Sequence, residues 1–141
     1  MRTRRPVAGD RAALLALRAA LWPETPAADH AREIDEVTTF VAEADDGTLL
    51  GFAEASLRRD PVPGCTTSPV GYLEGWYVAP ASRRAGVGRA LVAAVERWAA
   101  ANGCTEMASD ALVDNDLGRA AHAALGFVAQ NAVVAYAKRI V

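Results

Sequence analysis

Residues 72–91, YLEGWYVAPASRRAGVGRAL, are the stretch that decides the fold. The aromatic and apolar run at residues 72–78 predicts a strand that ends at Ala79-Pro80. After a short turn rich in arginine and glycine, apolar residues recur at helical spacing and predict an amphipathic helix. These apolar positions are Val87, Leu91, Val95 and Trp98. The stretch is therefore predicted to form a strand, a turn and a helix in direct succession.

The turn between strand and helix, residues 83–88, has the residue types of an anion-binding site. Gly86 and Gly88 allow the backbone to pass close to a ligand, and the N-terminus of the helix offers free N–H groups and a positive dipole. Arg83 and Arg84 add charge-assisted donors, so the turn suits a pyrophosphate; a plain connection between strand and helix is the alternative. The sequence lacks both Gly-x-Gly-x-x-Gly and Gly-Lys-Ser/Thr, which indicates a phosphate ligand other than a dinucleotide or a nucleoside triphosphate.

Two helices are predicted near the N-terminus. Asp10 is placed to be the N-cap of the first helix, in which Leu14, Leu17 and Leu21 form one apolar stripe. Residues 24–36 are acidic and rich in proline and alanine, which indicates a loop with a short, weakly packed helix. Such a segment is suited to cover a site.

A hairpin is predicted next. Two β-type runs, residues 38–44 and 49–57, surround the Asp-Asp-Gly turn at residues 45–47, and an Asp-Gly pair between such runs is a specific hairpin pattern. Residues 60–71 are predicted to be a surface loop. Residues 2–7 are a candidate for one more strand.

The C-terminal third alternates between strand and helix. The helix that follows the turn is predicted to end at Asn102-Gly103, as a C-cap would end it. A strand over residues 104–109, a helix capped by Asp114-Asn115 that carries Leu117, Ala121 and Leu125, and a last strand over residues 132–140 follow. The order of elements indicates an α/β fold with a mixed sheet.

Composition limits the class of protein. The 141 residues are 52% hydrophobic, which is enough for one domain over residues 1–141. A formal net charge of −2 excludes the positive field that a nucleic-acid or anionic-membrane binder needs, and permits a cationic partner. The charged residues 1–5 are followed by Pro6 instead of an apolar run, so no secretory signal is predicted and a cytoplasmic location is expected. Cys65 and Cys104 are expected to be reduced thiols, and no metal site is expected.

The pattern Arg83-x-x-Gly86-x-Gly88 resembles the acetyl-CoA motif of the GNAT superfamily of N-acetyltransferases. The surrounding Tyr77-Val78-x-Pro80, Leu91, Asn115 and the Ala-Leu-Gly-Phe of residues 124–127 agree with this superfamily. More narrowly, further segments resemble the bacterial aminoglycoside 6'-N-acetyltransferases. They are Leu21-Trp22-Pro23, residues 51–56, Arg58-x-Asp60, Gly64-Cys65, Ser68-Pro69-Val70, Tyr72-Leu73-Glu74-Gly75 and residues 106–110. The resemblance covers nearly the whole chain.

The resemblance implies a GNAT fold, with a mixed, twisted sheet of about six to seven strands flanked by about four helices. The fourth and fifth strands of this fold splay apart, and the acetyl-CoA co-substrate lies in the gap. A bulge in the strand over residues 72–78 leaves backbone groups free for the pantetheine arm and the thioester carbonyl. The cofactor-binding residues implied are Trp76, Tyr77, Val78, Arg83, Arg84, Ala85, Gly86, Val87, Gly88, Arg89 and Asn115.

Two acids are candidates for the chemistry of an acceptor amine, which must lose its proton before it attacks a thioester. Strand alternation places Glu74 on the same side of its strand as Tyr72, and Asp110 ends the neighbouring strand where the gap should open. These acids are either solvated charges at strand ends or a pair that attracts, orients and deprotonates a cation. The resemblance favours the second interpretation and implies catalytic roles for Glu74 and Asp110 and substrate binding by both acids and Tyr72.

Three further residues have open assignments. Glu54 either lines the acceptor pocket or faces solvent, and Trp22 either forms a wall of the sugar-binding cleft or covers the core. His122 lies where many members of the superfamily have a tyrosine that protonates the departing CoA thiolate; it is either that acid or a histidine on the helix surface. The resemblance implies substrate-binding roles for Trp22 and Glu54 and a catalytic role for His122.

The sequence predicts acetyl transfer more specifically than it predicts the acceptor molecule. Residues 128–131 lack the acids that aminoglycoside-modifying relatives tend to have there, and residues 22–40 form a shorter segment. An aminoglycoside is the expected acceptor. A polyamine, an amino acid or a protein N-terminus are alternatives, and a non-catalytic CoA-binding sensor is another class. A homodimer is expected, because relatives often pair through a terminal strand such as residues 132–140.

Overall fold

In a computed structural model that describes residues 1–141, the chain forms five strands and four α-helices. The strands are β1 (Arg2–Arg4), β2 (Thr38–Glu43), β3 (Leu49–Arg58), β4 (Val70–Val78) and β5 (Met107–Ser109). The helices are α1 (Arg11–Leu21), α2 (Ala27–Glu33), α3 (Val87–Ala101) and α4 (Asp116–Ala124). The chain divides into two compact units, residues 1–110 and residues 111–141.

All five strands lie in one sheet of the first unit, in the order β1-β2-β3-β4-β5. Neighbouring strands are antiparallel from β1 to β4, whereas β4 and β5 are parallel. The predicted hairpin is confirmed as β2 and β3, and its turn places Gly47 at a φ of 89°, a conformation that glycine adopts without steric cost. The candidate first strand is confirmed as β1. The mixed sheet and its helices confirm the predicted fold class.

Helix α3 packs on β3 and β4 and buries the apolar stripe predicted for it. Val87, Leu91 and Val95 are 3%, 0% and 0% exposed, and complete burial of one such side chain stabilises a fold by about 1.5–3 kcal/mol. None of the helices combines the length and apolar character needed to cross a membrane. Helix α3 therefore serves as a core helix whose N-terminus is fixed against the sheet.

Helix α1 presents Leu14 to the core, with Leu17 and Leu21 packed against the same cluster, which confirms the predicted stripe. Asp10 stands at the N-cap, but its side chain makes no capping hydrogen bond. Its carboxylate instead accepts hydrogen bonds from Arg4 at 2.6 Å and from the backbone N–H of Val7 at 2.7 Å. The predicted N-cap position of Asp10 is confirmed, but its side chain does not cap the helix, because the charged donor on β1 is a stronger partner for the carboxylate.

The sheet has fewer strands than the six to seven that the resemblance implies. The strand predicted over residues 104–109 begins only at Met107. The backbone N–H of Cys104 donates to the carbonyl oxygen of Ala99 at 3.0 Å, next to Gly103 at a φ of 84°. Cys104 therefore completes the C-terminal cap of α3, which confirms the predicted helix end and delays the strand.

The second unit contains one regular element, α4. Its predicted cap is confirmed, because the Asn115 side chain accepts a hydrogen bond from the N–H of Gly118 at 2.9 Å. The strand predicted over residues 132–140 is not formed. Side chains such as Val133 and Tyr136 remain 87% and 92% exposed. High β-propensity yields a strand only where a partner strand completes the hydrogen-bond ladder.

Candidate active site

Strands β4 and β5 separate in the middle of β4. Their pairing runs from Gly71 opposite Met107 to Leu73 opposite Ser109, whereas β4 continues to Val78. The hydroxyl of Ser109 donates to the carbonyl oxygen of Leu73 at 3.1 Å and marks the last contact of this pairing. Beyond it, β4 is paired with β3 on one side and has no strand on the other. The predicted splay between the fourth and fifth strands is confirmed.

Glu74 is an extra residue in β4 at the point where the strands separate. Glu54 of β3 pairs with Gly75, while the next residue, Ala55, pairs with Leu73. The shift in register leaves Glu74 without a partner in β3, which is the pattern of a β-bulge. A bulge turns a side chain out of the alternation of the strand and leaves backbone groups unpaired. The bulge predicted within residues 72–78 is therefore confirmed at Glu74.

The turn that precedes α3 exposes the first N–H groups of the helix. Gly86 is the N-cap residue at a φ of 82°, and no side chain caps the helix there. A Cβ at Gly86 would meet no atom within 4 Å, so the glycine is needed for its backbone conformation and the space before it is open. Arg84 also has a positive φ, 64°. Strain of this kind in a residue with a side chain is frequent at ligand sites.

The turn is held against the far end of β4. Arg83 donates through Nε to the carbonyl oxygen of Val78 at 2.9 Å, and its guanidinium lies 5.4 Å from the ring centroid of Tyr77. A Cβ at Gly88 would lie 3.0 Å from Cζ2 of Trp76, so α3 approaches β4 closely. The structure thus brings together the predicted cofactor residues of β4 and of the turn. The remaining members of that set, Ala85, Val87 and Arg89, belong to the same turn and the start of α3.

The two candidate acids lie in two hydrogen-bonded groups that are joined by one stacking contact. Glu74 accepts hydrogen bonds from Ser56 at 2.6 Å and from Nε and Nη2 of Arg58 at 3.0 and 2.8 Å. Asp110 accepts a hydrogen bond from the Tyr72 hydroxyl at 2.6 Å. The Arg58 guanidinium stacks on Tyr72, 3.3 Å from the ring centroid, and links the two pairs. The two acids are therefore linked through Arg58 and Tyr72, and their part in an acceptor site stays a prediction.

A groove of about 360 Å³ adjoins this network. It is lined by residues 57–63 and Tyr72. Tyr72 is buried, and this burial, followed by the hydrogen bond to Asp110, raises the pKa of the phenol, so Tyr72 remains a donor at neutral pH. The charged residues that line the groove are Arg58, Arg59 and Asp60, and the Arg58 guanidinium covers the face of Tyr72.

Glu54 is 2% exposed, so the alternative in which it faces solvent is wrong. Its carboxylate accepts a hydrogen bond from Arg18, which is itself 1% exposed. Burial raises the pKa of Glu54 to about 7 despite the opposing effect of Arg18. Contact of Glu54 with an acceptor stays a prediction, but its carboxylate is already engaged by Arg18.

Trp22 packs against the core and also reaches β4. Its ring lies 6.2 Å from that of Phe52 in an edge-on contact. Cη2 of the indole lies 2.4 Å from where a Cβ at Gly75 would stand, so the indole fills the space beside the residue that follows Glu74. Packing on the core is thus shown, and a role as a wall of the acceptor site stays a prediction.

Asn115 and His122 lie in the second unit. The side chain of Asn115 caps α4 as described, and a contact with the cofactor stays a prediction. Nδ1 of His122 donates to the carbonyl oxygen of Gly118 at 2.6 Å, and its ring meets that of Phe127 at a centroid distance of 5.4 Å. The proposed role of His122 as an acid also stays a prediction.

Sequence reasoning missed two arginines of this site. Arg18 lies four residues after Leu14, on the stripe of α1 that was identified as apolar, and a charged residue on such a face indicates a buried partner. Arg58 stands in the segment that resembles the aminoglycoside-modifying enzymes, but no role followed from that pattern alone. No group of three or more His, Cys, Asp or Glu side chains is arranged to hold a metal ion.

Comparison with known proteins identifies the family. Residues 11–127 match the model of the acetyltransferase (GNAT) family. An aminoglycoside N(6')-acetyltransferase type 1 of Serratia marcescens is 45% identical over 134 residues, 91% of this chain and 92% of that protein. One of Stenotrophomonas maltophilia is 46% identical over 137 residues, 93% of this chain and 88% of that protein.

Comparison with solved structures supports the same family. AAC(6')-Iy in complex with the bisubstrate analogue CoA-S-monomethyl-acetylneamine superposes with a TM-score of 0.90 at 40% identity, covering 97% of both chains. The apo aminoglycoside antibiotic 6'-N-acetyltransferase AAC(6')-IG from Acinetobacter haemolyticus superposes with a TM-score of 0.92 at 38% identity, covering 99% of both chains. The splayed strands, the bulge and the glycine turn before α3 agree with these similarities. The chain therefore belongs to the GNAT family of acetyltransferases.

Proposed function

We propose that this protein transfers the acetyl group of acetyl-CoA to the 6'-amino group of an aminoglycoside. The observation that carries the proposal is the joint position of Glu74 and Asp110 where β4 and β5 separate. Two carboxylates close together suit a multiply cationic acceptor. Relatives at 45% and 46% identity that are named aminoglycoside N(6')-acetyltransferases support the same acceptor.

The residues around the splayed strands fit acetyl-CoA. The uncapped N-terminus of α3 and the open space at Gly86 suit the pyrophosphate, and Arg84 and Arg89 add exposed cationic side chains. The side of β4 that has no strand partner suits the pantetheine arm. Bound there, acetyl-CoA supplies an acetyl thioester, and its carbon–sulfur bond breaks as the new carbon–nitrogen bond forms. Backbone N–H groups of the bulged strand are suited to stabilise the oxygen that becomes negative in this step.

The two acids have different roles towards the acceptor. Glu74 is neutralised by Arg58 in the free protein, and an ammonium group of the acceptor would share or replace this partner. Asp110 is oriented by Tyr72 and takes the proton of the attacking amine, directly or through water. His122 is an optional donor to the departing thiolate, which needs little assistance because a thiol has a pKa of about 8.5.

The molecule as a whole is proposed to act as one catalytic domain over residues 1–141, as a homodimer in the cytoplasm. The family match over residues 11–127 runs through both units and supports one domain. The exposed apolar side chains within residues 132–140 support pairing of two copies. The free thiols of Cys65 and Cys104 suit the reducing cytoplasm, where acetyl-CoA is available.

Mass spectrometry of the reaction products tests the acceptor. Purified protein and acetyl-CoA are incubated with two aminoglycosides that differ only in carrying a 6'-amine or a 6'-hydroxyl, and with a polyamine. We expect a single added acetyl group on the 6'-amine compound and much less on the other two. Equal acetylation of the 6'-hydroxyl compound, or acetylation of the polyamine alone, would overturn the aminoglycoside assignment while leaving acetyl transfer intact.

A further inference from the structure

Four charged or polar side chains meet inside the first unit, between α1, α2 and β3. The guanidinium of Arg18 donates through Nη1 to Glu54, through Nη2 to Glu33 at 2.7 Å, and through Nε to Nδ1 of His30 at 3.3 Å. Arg18, Glu54 and His30 are 1%, 2% and 3% exposed. We refer to Arg18, His30, Glu33 and Glu54 as the Arg18 cluster.

Stability alone does not account for the Arg18 cluster. Charges taken out of water carry a desolvation cost that their mutual attraction only partly offsets, and apolar residues of similar volume often stabilise a fold as well or better. The cluster orients its partners in a way that apolar packing does not, because each hydrogen bond fixes one partner in a defined orientation. The partners fixed here are α2 and the turn that follows α1.

The Arg18 cluster fixes the turn at Trp22. Because Nε of Arg18 is only a donor, Nδ1 of His30 must accept, and the ring proton on Nε2 then donates to the carbonyl oxygen of Trp22 at 3.1 Å. The Arg18 guanidinium also lies over the indole of Trp22, 4.9 Å from the ring centroid. Trp22 is therefore held through its backbone and through its side chain.

The indole held in this way reaches the strand that carries Glu74. Cη2 of Trp22 fills the space beside Gly75, where a Cβ would lie only 2.4 Å away. Glu54, a member of the cluster, is the residue of β3 that pairs with Gly75. The Arg18 cluster therefore sets Trp22 beside the bulge of β4 and anchors the neighbouring position of β3.

Helix α2 depends on the same cluster. Its sequence, AADHARE, contains no large aliphatic or aromatic hydrocarbon side chain, so it has little apolar surface with which to dock on the core. Its one buried residue is His30, and Glu33 at its end pairs with Arg18. Apart from the C-cap residue Ile34, which packs against the core, the contacts of α2 are therefore largely polar.

We propose that Arg18 is a positioning residue for the acceptor: its guanidinium holds Trp22 and α2 in the arrangement that forms one wall of the acceptor site beside Glu74. The inference rests on the proposed function, since it takes Glu74 to contact the acceptor. Arg18 touches no reacting atom and acts through Trp22 and α2. Disturbing it should therefore change the KM for the acceptor and leave the kcat and the KM for acetyl-CoA nearly unchanged.

Two matched variants separate positioning from a general effect on the fold. Glu33→Ala removes the carboxylate that ties α2 to Arg18, whereas Asp35→Ala removes the carboxylate of an exposed pair with Arg11, 3.0 Å apart, between the same two regions. Glu33→Ala should raise the KM for the aminoglycoside about tenfold, and Asp35→Ala should leave it within about twofold. An equal response of the two variants, or an equal rise in the KM for acetyl-CoA, overturns the proposal.

An apolar replacement of the buried pair gives an independent test. Arg18→Met combined with Glu54→Leu removes both charges, and such replacements generally keep a protein folded. This double variant should keep the wild-type far-ultraviolet circular dichroism and a cooperative unfolding transition, yet show the raised acceptor KM of Glu33→Ala. A folded double variant with the wild-type KM for the acceptor would show that Arg18 positions nothing that the acceptor uses.

Failure of the proposed function gives a different result from failure of this inference. If the wild-type protein acetylates no aminoglycoside, the proposed function fails, and hydrogen exchange then tests Arg18 without any substrate. The backbone amides of residues 27–33 should exchange about tenfold faster in Glu33→Ala than in Asp35→Ala. Equal exchange in the two variants overturns the positioning role of Arg18.

Discussion

Among the individual residues, Asp110 is the group best suited to take the proton of an acceptor amine. The Tyr72 hydroxyl donates to one of its oxygens at 2.6 Å, and this fixed donor orients the carboxylate while leaving it further lone pairs for an amine. Glu74 is different, because Arg58 engages both of its oxygens. An ion-paired carboxylate is suited to exchange one cation for another, and thus to bind the acceptor instead of deprotonating it.

Replacement of Asp110 by asparagine should lower the kcat of acetyl transfer about 100-fold, because a positioned base contributes roughly 10²- to 10⁴-fold to a rate. Tyr72→Phe keeps the carboxylate but removes the donor that orients it, so it should lower the kcat less, by about tenfold. Steady-state rates at saturating acetyl-CoA measure both effects. Asp45→Asn, at an exposed carboxylate in the hairpin turn, serves as the control. A wild-type kcat in Asp110→Asn would remove Asp110 from the proton transfer.

The sequence pointed to Glu74 and Asp110 but not to Arg58, which links Glu74 to Tyr72. Strand ends show which edge a residue occupies, and this was enough to place Asp110, whereas Glu74 lies at the bulge, where the alternation does not hold. The partner of a charged side chain is set by the pairing of strands distant in sequence, as with Arg58 of β3 and Glu74 of β4. For the same reason Arg18 was recognisable only as a charge on an apolar stripe.

For the secondary-structure elements, local patterns decided what could be predicted. The turn before α3 follows from short-range rules. Gly86 has a φ of 82°, and residues with a side chain rarely adopt this conformation. The extents of the terminal strands do not follow from such rules. Cys104 is drawn into the cap of α3 by its bond to Ala99, and residues 132–140 lack a partner strand. In the first case a helix cap and in the second the lack of a partner strand overrode β-propensity.

The Arg18 cluster joins α1, α2 and β3, and it should make the stability of the fold depend on pH. Burial raises the pKa of Glu54 from 4.5 to about 7. Between these values the folded state binds more protons than the unfolded state, so the free energy of unfolding falls as the pH rises through this window. Urea unfolding should show the wild type losing about 2 kcal/mol relative to Glu54→Gln between pH 4.5 and pH 7.5.

Glu43 provides the control, because its contribution to the free energy of unfolding is expected to change with pH in the opposite direction. Hydrogen bonds from Arg4 and then Arg2 lower the pKa of Glu43 to about 2. Its contribution to stability is therefore present above pH 4.5 and lost as the pH falls towards 2. If the free energy of unfolding of the wild type relative to that of Glu54→Gln stays constant or increases towards pH 7.5, Arg18 keeps Glu54 ionised throughout. The raised pKa of Glu54 would then not govern stability.

In the molecule as a whole, the sheet ends in two edge strands, β1 and β5. An edge strand presents unpaired backbone groups that pair readily with another chain. Residues 132–140 have the pattern of such a partner, because strand alternation would place Val134, Tyr136 and Ile140 on one face. In the single chain these side chains are 74%, 92% and 86% exposed. Burying this face against a second copy would remove apolar surface from water and stabilise a dimer.

The dimer is the prediction that concerns the whole molecule. Sedimentation velocity at micromolar concentration should show the wild type as a dimer, and Tyr136→Lys should shift it towards the monomer, because the charged side chain would have to be desolvated at the contact. Val128→Lys, at a residue that is 77% exposed but lies outside residues 132–140, should leave the dimer intact. A wild-type monomer at every concentration tested would show that residues 132–140 do not join two copies. Equal dissociation of the two lysine variants would show that charge alone, and not the position of Tyr136, weakens association.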